Sequence, residues 1–318
     1  MARCISTVSM SREEWLKRRK NGIGGSDAGA ICGLNPYASC MSVYRDKTSD
    51  ELSDQDNEAM RQGRDLEEYV AQRFCEASGL RVRRSNQMYF SEEYPFMFAD
   101  VDRLIVGEDA GLECKTASAY NADKWKDGTV PAHYVIQCYH YMAVTGKKCW
   151  YIAAVILGQG FCWTKLGWED EIIQNLILIE ENFWKNHVAA RKIPDPDGSK
   201  ACDEVLEKYF HVARKGSCVP LVDFDKKLER RRKLSEKMKI IEKEQRQIDQ
   251  EIKLYMGEHE LASSDRYQVS WVNVSTSRLD IARLKAEQPE LYQTYLKTSS
   301  CRKFMVKERQ NPVQENAA

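Results

Sequence analysis

A series of short strand-like segments in the middle of the chain, interrupted by one helical segment, places the strongest constraint on its fold. These segments alternate apolar and polar side chains, and stretches with helical periodicity precede, interrupt and follow them. The predicted strands are 81–90, 96–106, 111–116, 149–157 and 161–165, and the predicted longer helices are 59–77, 134–144 and 168–189. Helices before and between strands predict an α/β fold with a mixed central sheet flanked by helices.

Two shorter helices are predicted nearer the beginning of the chain. Ser11, followed three residues later by Glu14, forms a capping-box pattern and predicts a helix that runs to about Lys20. The glycine-rich loop 22–27 then places Ser26 to cap a short helix that ends near Gly33. Both helices precede the predicted sheet and belong to the same predicted domain.

The chain is predicted to divide near residues 193–198, where two prolines and a glycine form a turn-rich break. The predicted parts are a main α/β domain at 10–192, a linker at 193–224, a long helix at 225–256, a small α+β unit at 257–308 and a disordered tail at 309–318. Within the small unit, alternating side chains predict strands at 267–271 and 304–306.

The long helix is predicted from a heptad stripe separated by charged residues. The stripe consists of Leu234, Met238, Ile241, Gln245, Ile248, Ile252 and Tyr255. Three heptads are few for an independent coiled coil, so the stripe can pack either on its own chain or on a partner. The basic run 230–233 either contacts DNA phosphates or forms a solvated helix face.

The composition argues against several classes of protein. Its 48 basic and 48 acidic residues give zero net charge, which disfavours a tight non-specific nucleic-acid binder but allows a locally basic channel. No apolar run approaches the roughly 20 residues that span a bilayer, and the first ten residues lack a secretory layout, so we expect a cytoplasmic protein without a membrane partner. Among eleven scattered cysteines, Cys202, Cys218 and Cys301 are too dispersed to predict an iron–sulfur cluster.

Acidic and basic side chains meet where two predicted strands adjoin. Alternation places Glu113 and Lys115 on one face of their strand. A hairpin closed with 107 opposite 110 puts Asp102 opposite Lys115 and Leu104 opposite Glu113, so that two carboxylates and an ammonium converge. Such a patch suits Mg²⁺, with the backbone carbonyl of Cys114 as a further ligand. From this spacing alone, the alternative is a surface hairpin with an ordinary ion pair.

Two predicted helices carry polar residues on their packed faces. Glu67 shares a helix face with an otherwise apolar stripe, so it either meets a partner or reaches water at the edge of the stripe. In the later helix, Tyr134, Gln137 and Tyr141 share one face. Taken alone, this second face is equally typical of a half-buried polar helix surface.

The order of these motifs resembles that of one nuclease family. The series is Trp15-x-x-x-Arg19, Gly24-x-Ser26-Asp27, Gly63-Arg64-x-x-Glu67, Asp102, Glu113-Cys114-Lys115 and Val130-Pro131-x-x-Tyr134-x-x-Gln137-x-x-His140-Tyr141-Met142. Over roughly residues 10–190 the chain resembles the YqaJ-like viral recombinases and their relative, the phage lambda-type exonuclease, in the PD-(D/E)XK nuclease class. The resemblance implies a restriction-endonuclease-like fold.

The resemblance also implies roles for individual residues. Asp102, Glu113 and the Cys114 carbonyl are implied as ligands of Mg²⁺, for which Mn²⁺ can substitute, and Lys115 as the catalytic lysine. Glu67 is implied as an additional acidic group that supports the metal or its water. Gln137 is implied to steady the catalytic lysine or the DNA.

A site for the DNA 5′ phosphate is implied at Arg19 and Ser26, because a guanidinium and a helix N-terminus both bind phosphate. One position departs from the family pattern. The lambda-type enzyme has Ser-Pro-Asp where this chain has Asp100-Val101-Asp102. A carboxylate at Asp100 repels phosphate, so Asp100 is a candidate for the metal cluster instead.

The resulting hypothesis is a Mg²⁺-dependent exonuclease that digests linear double-stranded DNA 5′→3′ and leaves 3′ single-stranded tails for an annealing protein in phage-type recombination. A phage or prophage gene in a bacterial host and a homo-oligomer, by resemblance a trimer, are implied. The alternatives are a PD-(D/E)XK endonuclease, a RecB-type repair nuclease, and, from another class, a catalytically silent DNA-binding or assembly protein.

Overall fold

The computed structural model describes residues 2–52 and 57–308, and these residues form two compact units that divide between His211 and Val212. The tail predicted to be disordered, 309–318, lies outside the described residues. In chain order the first unit contains β1 (Arg3–Ser6), α1 (Arg12–Lys20), α2 (Gly25–Ile31), α3 (Cys40–Thr48), α4 (Glu58–Ser78), β2 (Val82–Arg84), β3 (Gln87–Phe90), β4 (Phe98–Asp100), β5 (Arg103–Ile105), β6 (Ala110–Ala117), a 3-10 helix (Ala119–Gly128), α5 (Ala132–Thr145), β7 (Cys149–Ile156), β8 (Gly160–Gly167), α6 (Asp170–Phe183), a π-helical turn (Trp184–Ala189) and α7 (Lys200–Tyr209).

The main sheet has five strands in the order β2-β5-β6-β7-β8. Its neighbours are antiparallel except for β6 and β7, which are parallel and joined by a crossover that contains α5. Such a connection is required because parallel strands cannot be joined by a tight hairpin. The predicted α/β class, a mixed central sheet flanked by helices, is confirmed.

Helices cover both faces of this sheet. On one face, α4 buries Val70, Ala71 and Phe74 against side chains of β5, β6 and β7. On the other face, α5 packs against Trp150 and its neighbours on β7, and α6 packs on α5. Gly111 on β6 permits this packing, because a Cβ atom there would lie 2.3 Å from the Trp150 ring. The two strand faces therefore have separate hydrophobic cores.

Two strands predicted as continuous are each broken. The predicted strand 81–90 forms β2 and β3, and 96–106 forms β4 and β5. Strands β3 and β4 belong to a separate antiparallel sheet with the strand order β1-β3-β4. Strand β1 was not predicted. The first break contains Asn86, whose φ of 50° lies in the left-handed region and redirects the chain.

Of the two predicted helix caps, the one at α1 agrees with the structure and the one at α2 does not. Ser11 caps α1 by accepting a hydrogen bond from the Glu14 amide, as predicted. The predicted cap of α2 is wrong, since the helix begins after Gly24, whose amide donates to the Asp27 carboxylate at 2.9 Å, and Ser26 lies in the first turn. Two shorter helices, α3 and α7, were not predicted, and α7 lies inside the predicted linker 193–224 and packs on α3.

The second unit contains α8 (Asp225–Met256), a hairpin of β9 (Leu261–Ser263) and β10 (Gln268–Ser270), and two short helices, α9 (Ile281–Glu287) and α10 (Pro289–Thr294). The predicted long helix is thus confirmed, and Met238 and Ile241 of its heptad stripe are exposed. The strand predicted at 304–306 is wrong, because these residues are irregular. Among the described residues, no helix has both the length and the apolar composition needed to cross a bilayer.

Candidate active site

The β5–β6 hairpin brings Asp102, Glu113 and Lys115 together on the face covered by α5. Arg103 pairs with Leu112 and Leu104 with Gly111, so continuing the register by one residue places Asp102 opposite Glu113. The predicted pairing of Asp102 with Lys115 is therefore wrong by two residues. Because side chains alternate with a period of two, that shift leaves every side chain on its predicted face.

Glu113 lies at the centre of the site and is only 3% exposed. Its Oε1 accepts hydrogen bonds from Lys115 Nζ at 2.5 Å and from Gln137 Nε2 at 2.7 Å. The same Gln137 nitrogen donates its second hydrogen to the Tyr141 hydroxyl at 2.7 Å. Gln137 therefore holds the carboxylate oxygen that also binds Lys115, so the implied role of steadying the catalytic lysine or the DNA stays a prediction. Glu113 Oε2 is buried and has no hydrogen-bond partner among the described residues.

The two carboxylates of the hairpin repel one another. Asp102 Oδ2 accepts the Cys114 amide at 2.9 Å. Burial, and then the nearby Glu113 and Glu67 carboxylates, raise the pKa of Asp102 well above its usual range. Burial also raises the pKa of Glu113, although Lys115 opposes this effect. A cation bound between the two carboxylates would relieve both their desolvation and their repulsion.

Lys115 is held as an ammonium ion. Burial opposes its charge, but the carboxylates of Glu113 and Asp102 outweigh burial and raise the pKa of Lys115 above its ordinary value. Its Nζ also lies 4.6 Å from the centre of the Tyr134 ring, which favours a cation over its face. Lys115 is therefore suited to stabilise negative charge and not to accept a proton.

The candidate donors are carboxylate oxygens, which suit a hard divalent cation. Within 2–52 and 57–308, no group of three or more His, Cys, Asp or Glu side chains is arranged to hold a metal ion. Mg²⁺ needs no such cage, because it commonly binds one or two carboxylates and fills its remaining positions with water and substrate phosphate. Asp102 and the unpartnered oxygen of Glu113 supply that number of carboxylates.

Glu67 meets a partner that the sequence analysis did not identify. Glu67 lies on α4, which covers the opposite face of the sheet, and forms an ion pair with Arg103. Arg103 is 3% exposed and also bonds Glu68 Oε2 at 3.1 Å and the Asp102 carbonyl at 2.9 Å. The sequence did contain a signal for this ion pair. Alternation along the strand places the side chain of Arg103 on the face opposite Asp102, toward the helix stripe that contains Glu67. Arg103 therefore ties the Asp102 backbone to α4.

Arg19 and Ser26 are brought together, as the implied phosphate site requires. Arg19 Nη2 donates to Ser26 Oγ at 3.0 Å, and its guanidinium lies 4.5 Å from the centre of the Trp15 ring. The Trp15 indole Nε1 donates to Asp100 Oδ2 at 2.6 Å. Trp15 therefore contacts both Asp100 and Arg19, and it places Asp100 beside the pair formed by Arg19 and Ser26.

His140 of α5, which belongs to the motif series of the family, is completely buried. Its Nδ1 lies 2.8 Å from Glu180 Oε1 on α6, and its Nε2 lies 2.8 Å from the carbonyl oxygen of Phe98. Burial disfavours the imidazolium, but the Glu180 carboxylate outweighs it and raises the pKa of His140. His140 therefore joins α5, α6 and β4 directly behind the site and does not face DNA.

Comparisons with known proteins agree with the resemblance seen in the motifs. The family described as "YqaJ-like viral recombinase domain" matches residues 14–148. Protein YqaJ of Bacillus subtilis (strain 168) is 36% identical over 304 residues, which cover 94% of this chain and 95% of that protein.

Solved structures with partial similarity include two exonucleases. The alkaline exonuclease LHK-Exo of Laribacter hongkongensis is 18% identical, with a TM-score of 0.48 over 63% of this chain and all of that one. A phage-related exonuclease of Haemophilus somnus 129PT is 12% identical, with a TM-score of 0.42 over 56% of this chain and 99% of that one. The assignment rests instead on the family match and on the near full-length relative. The chain belongs to the YqaJ-like viral recombinase family.

Proposed function

We propose that the chain is a divalent-metal-dependent deoxyribonuclease that digests linear double-stranded DNA from its ends. The observation that supports this most strongly is the buried Glu113 carboxylate, which has one oxygen fixed by Lys115 and Gln137 and the other unpartnered. A buried carboxylate with an unpartnered oxygen is costly, and carboxylates perturbed by burial and by neighbouring charges cluster at functional sites. Membership of a recombinase family supports DNA as the substrate.

In this proposal, Asp102, Glu113 and the Cys114 carbonyl hold Mg²⁺, for which Mn²⁺ can substitute. When bound, the ion lowers the pKa of a water molecule and neutralises charge on the phosphate. Lys115 stabilises the charge that develops on the phosphate oxygens, since its ammonium is already fixed before substrate arrives. Gln137 holds Glu113 in its rotamer, and Arg103 with Glu67 holds the backbone of Asp102 against α4.

The finer features of the proposal concern direction, assembly and biology. Arg19 and Ser26 bind the 5′ phosphate at the end of the duplex, which sets 5′→3′ digestion, and Asp100 lies at the margin of that site. The resulting 3′ single strand is passed to an annealing protein during phage-type recombination in the cytoplasm of a bacterial host. A homo-oligomer, a trimer by resemblance to the lambda-type enzyme, encloses the DNA.

Digestion of three DNA substrates tests the proposal. The full chain is incubated with Mg²⁺ and linear duplex bearing a 5′ phosphate, linear duplex bearing a 5′ hydroxyl, or covalently closed circular duplex. We expect mononucleotides from the linear duplexes, faster release from the phosphorylated ends, an intact circle, and no products when EDTA removes the metal. Cut circles would establish the endonuclease alternative, and binding without any product would establish the catalytically silent one.

A further inference from the structure

The 3-10 helix Ala119–Gly128 has no part in the site described above, yet it follows the strand that carries Lys115. It begins two residues after β6 ends at Ala117. Tyr120 in its first turn is 99% exposed. A single exposed tyrosine is not unusual on a protein surface, so its meaning depends on where the helix is held.

Two packed aromatic rings, Trp125 and Tyr134, anchor this helix beside Lys115. Trp125 is 4% exposed and packs on Tyr134 with 5.8 Å between ring centres. Lys115 Nζ also lies against the Tyr134 ring, 4.6 Å from its centre. After a kink at Lys126 and Asp127, the Gly128 carbonyl accepts a hydrogen bond from the Thr164 hydroxyl of β8 at 3.1 Å. The exposed side chains of the helix are therefore held at a fixed position relative to Lys115.

The helix presents one exposed ammonium at Lys124, whereas its other lysine, Lys126, is paired with Asp123. Burial, and then the charges of Lys115 and Lys124, lower the pKa of His133 to about 4. His133 packs on Tyr134 with 4.0 Å between ring centres, so it belongs to the same aromatic cluster as Trp125. An exposed aromatic ring and an exposed ammonium held beside a phosphate-cleaving site match the two requirements of single-strand binding, which are base stacking and backbone neutralisation.

We propose that the 3-10 helix Ala119–Gly128 binds single-stranded DNA next to the scissile bond, with Tyr120 stacked on an unpaired base and Lys124 in contact with a backbone phosphate. The location beside a scissile bond rests on the proposed nuclease function, whereas the binding of a single strand can be measured without it. An end-digesting enzyme must separate the last base pairs of a duplex, and a stacking surface beside the site favours the unpaired base over its return to the helix.

The test measures affinity for a fluorescein-labelled oligothymidylate by fluorescence anisotropy, with the full chain in EDTA so that no cleavage occurs. Tyr120→Ala is expected to weaken binding about tenfold, and Tyr120→Phe to retain near wild-type affinity, because stacking needs the ring and not the hydroxyl. Tyr255→Ala removes a tyrosine of similar exposure, 87%, from the second unit and serves as the matched control, expected to bind normally. Lys124→Ala is expected to lower the salt dependence of binding by about one counterion.

Equal affinities for wild type and Tyr120→Ala would overturn the inference, and so would equal losses in Tyr120→Ala and Tyr255→Ala. Either result leaves the nuclease proposal standing if wild type digests linear duplex. Conversely, selective loss of binding in Tyr120→Ala with no digestion by wild type supports the surface and rejects the nuclease proposal. The inference is also overturned if Tyr120→Ala binds a protein partner more weakly than wild type but binds the oligonucleotide equally well. That result would assign the surface to another class of molecule.

Discussion

Glu113→Gln is expected to lower the rate of DNA digestion on the order of 10³-fold or more without unfolding the protein. The substitution keeps the shape of the side chain and an oxygen that accepts from Lys115 and Gln137, so it removes charge and little else. Loss of a charged metal ligand removes several kcal/mol of transition-state stabilisation, which corresponds to a rate loss of that size. Initial rates of mononucleotide release from linear duplex at saturating Mg²⁺ measure it.

Glu108→Gln provides the control for this substitution. Glu108 is an exposed residue in the loop of the same hairpin, and its carboxylate accepts from the Tyr151 hydroxyl at 3.0 Å, a bond that glutamine can also accept. We expect its digestion rate to remain near that of wild type. A Glu113→Gln variant that digests DNA as fast as Glu108→Gln would remove Glu113 from the mechanism.

His140→Ala is expected to lower the free energy of unfolding of the first unit by about 3–5 kcal/mol, because it leaves a buried carboxylate without its partner. Both His140 and Glu180 are fully buried, and Glu180 Oε2 already has no hydrogen-bond partner among the described residues. The substitution also leaves the Phe98 carbonyl without the imidazole that contacts it. Urea unfolding monitored by tryptophan fluorescence measures the change.

Two further variants distinguish the loss of this pair from a general effect of substitution. His211→Ala alters an exposed histidine at the end of the first unit and is expected to change stability by less than about 0.5 kcal/mol. His140→Leu combined with Glu180→Leu removes both polar groups and is expected to recover part of the loss, since no charge remains buried. A loss below about 1 kcal/mol in His140→Ala would show that the pair contributes little to the fold.

The sequence predicted the face of the sheet on which the catalytic candidates lie, but it did not predict which residues pair across the hairpin. Alternation along Glu113-Cys114-Lys115 correctly separated the face toward α5 from the face toward α4, because this property depends only on the strand itself. The partner of Asp102 depended on the length of the hairpin loop, which no local pattern specifies. The error of two residues therefore changed the partner and preserved the face.

Other errors arose where contacts between distant segments decide the structure. Strand β1 is short and forms only because β3 offers it an edge, and α7 is held by burial of Cys202 and Val205 against Met41 on α3. The partner of Glu67 was missed for the same reason, since Arg103 is distant in sequence and its side chain reaches α4 only after the sheet has formed. Local propensity is a weak guide when tertiary packing supplies most of the stabilisation.

The approach of Arg19 to Ser26 illustrates a third case. The local pattern favoured a helix-capping role for Ser26, and the family resemblance placed Arg19 and Ser26 in one phosphate site. In the structure they are joined by a hydrogen bond, while the capping role belongs to Gly24 and Asp27. Resemblance identified a contact here that the physical pattern of the sequence did not specify.

A crystal of the full chain soaked in Mn²⁺ tests the central claim most directly, because the anomalous signal of manganese locates the ion independently of activity. We predict a peak in direct contact with the carboxylates of Asp102 and Glu113, and no such peak in crystals of Glu113→Gln. Manganese bound only elsewhere, in protein that digests DNA with Mn²⁺, would contradict the proposed site.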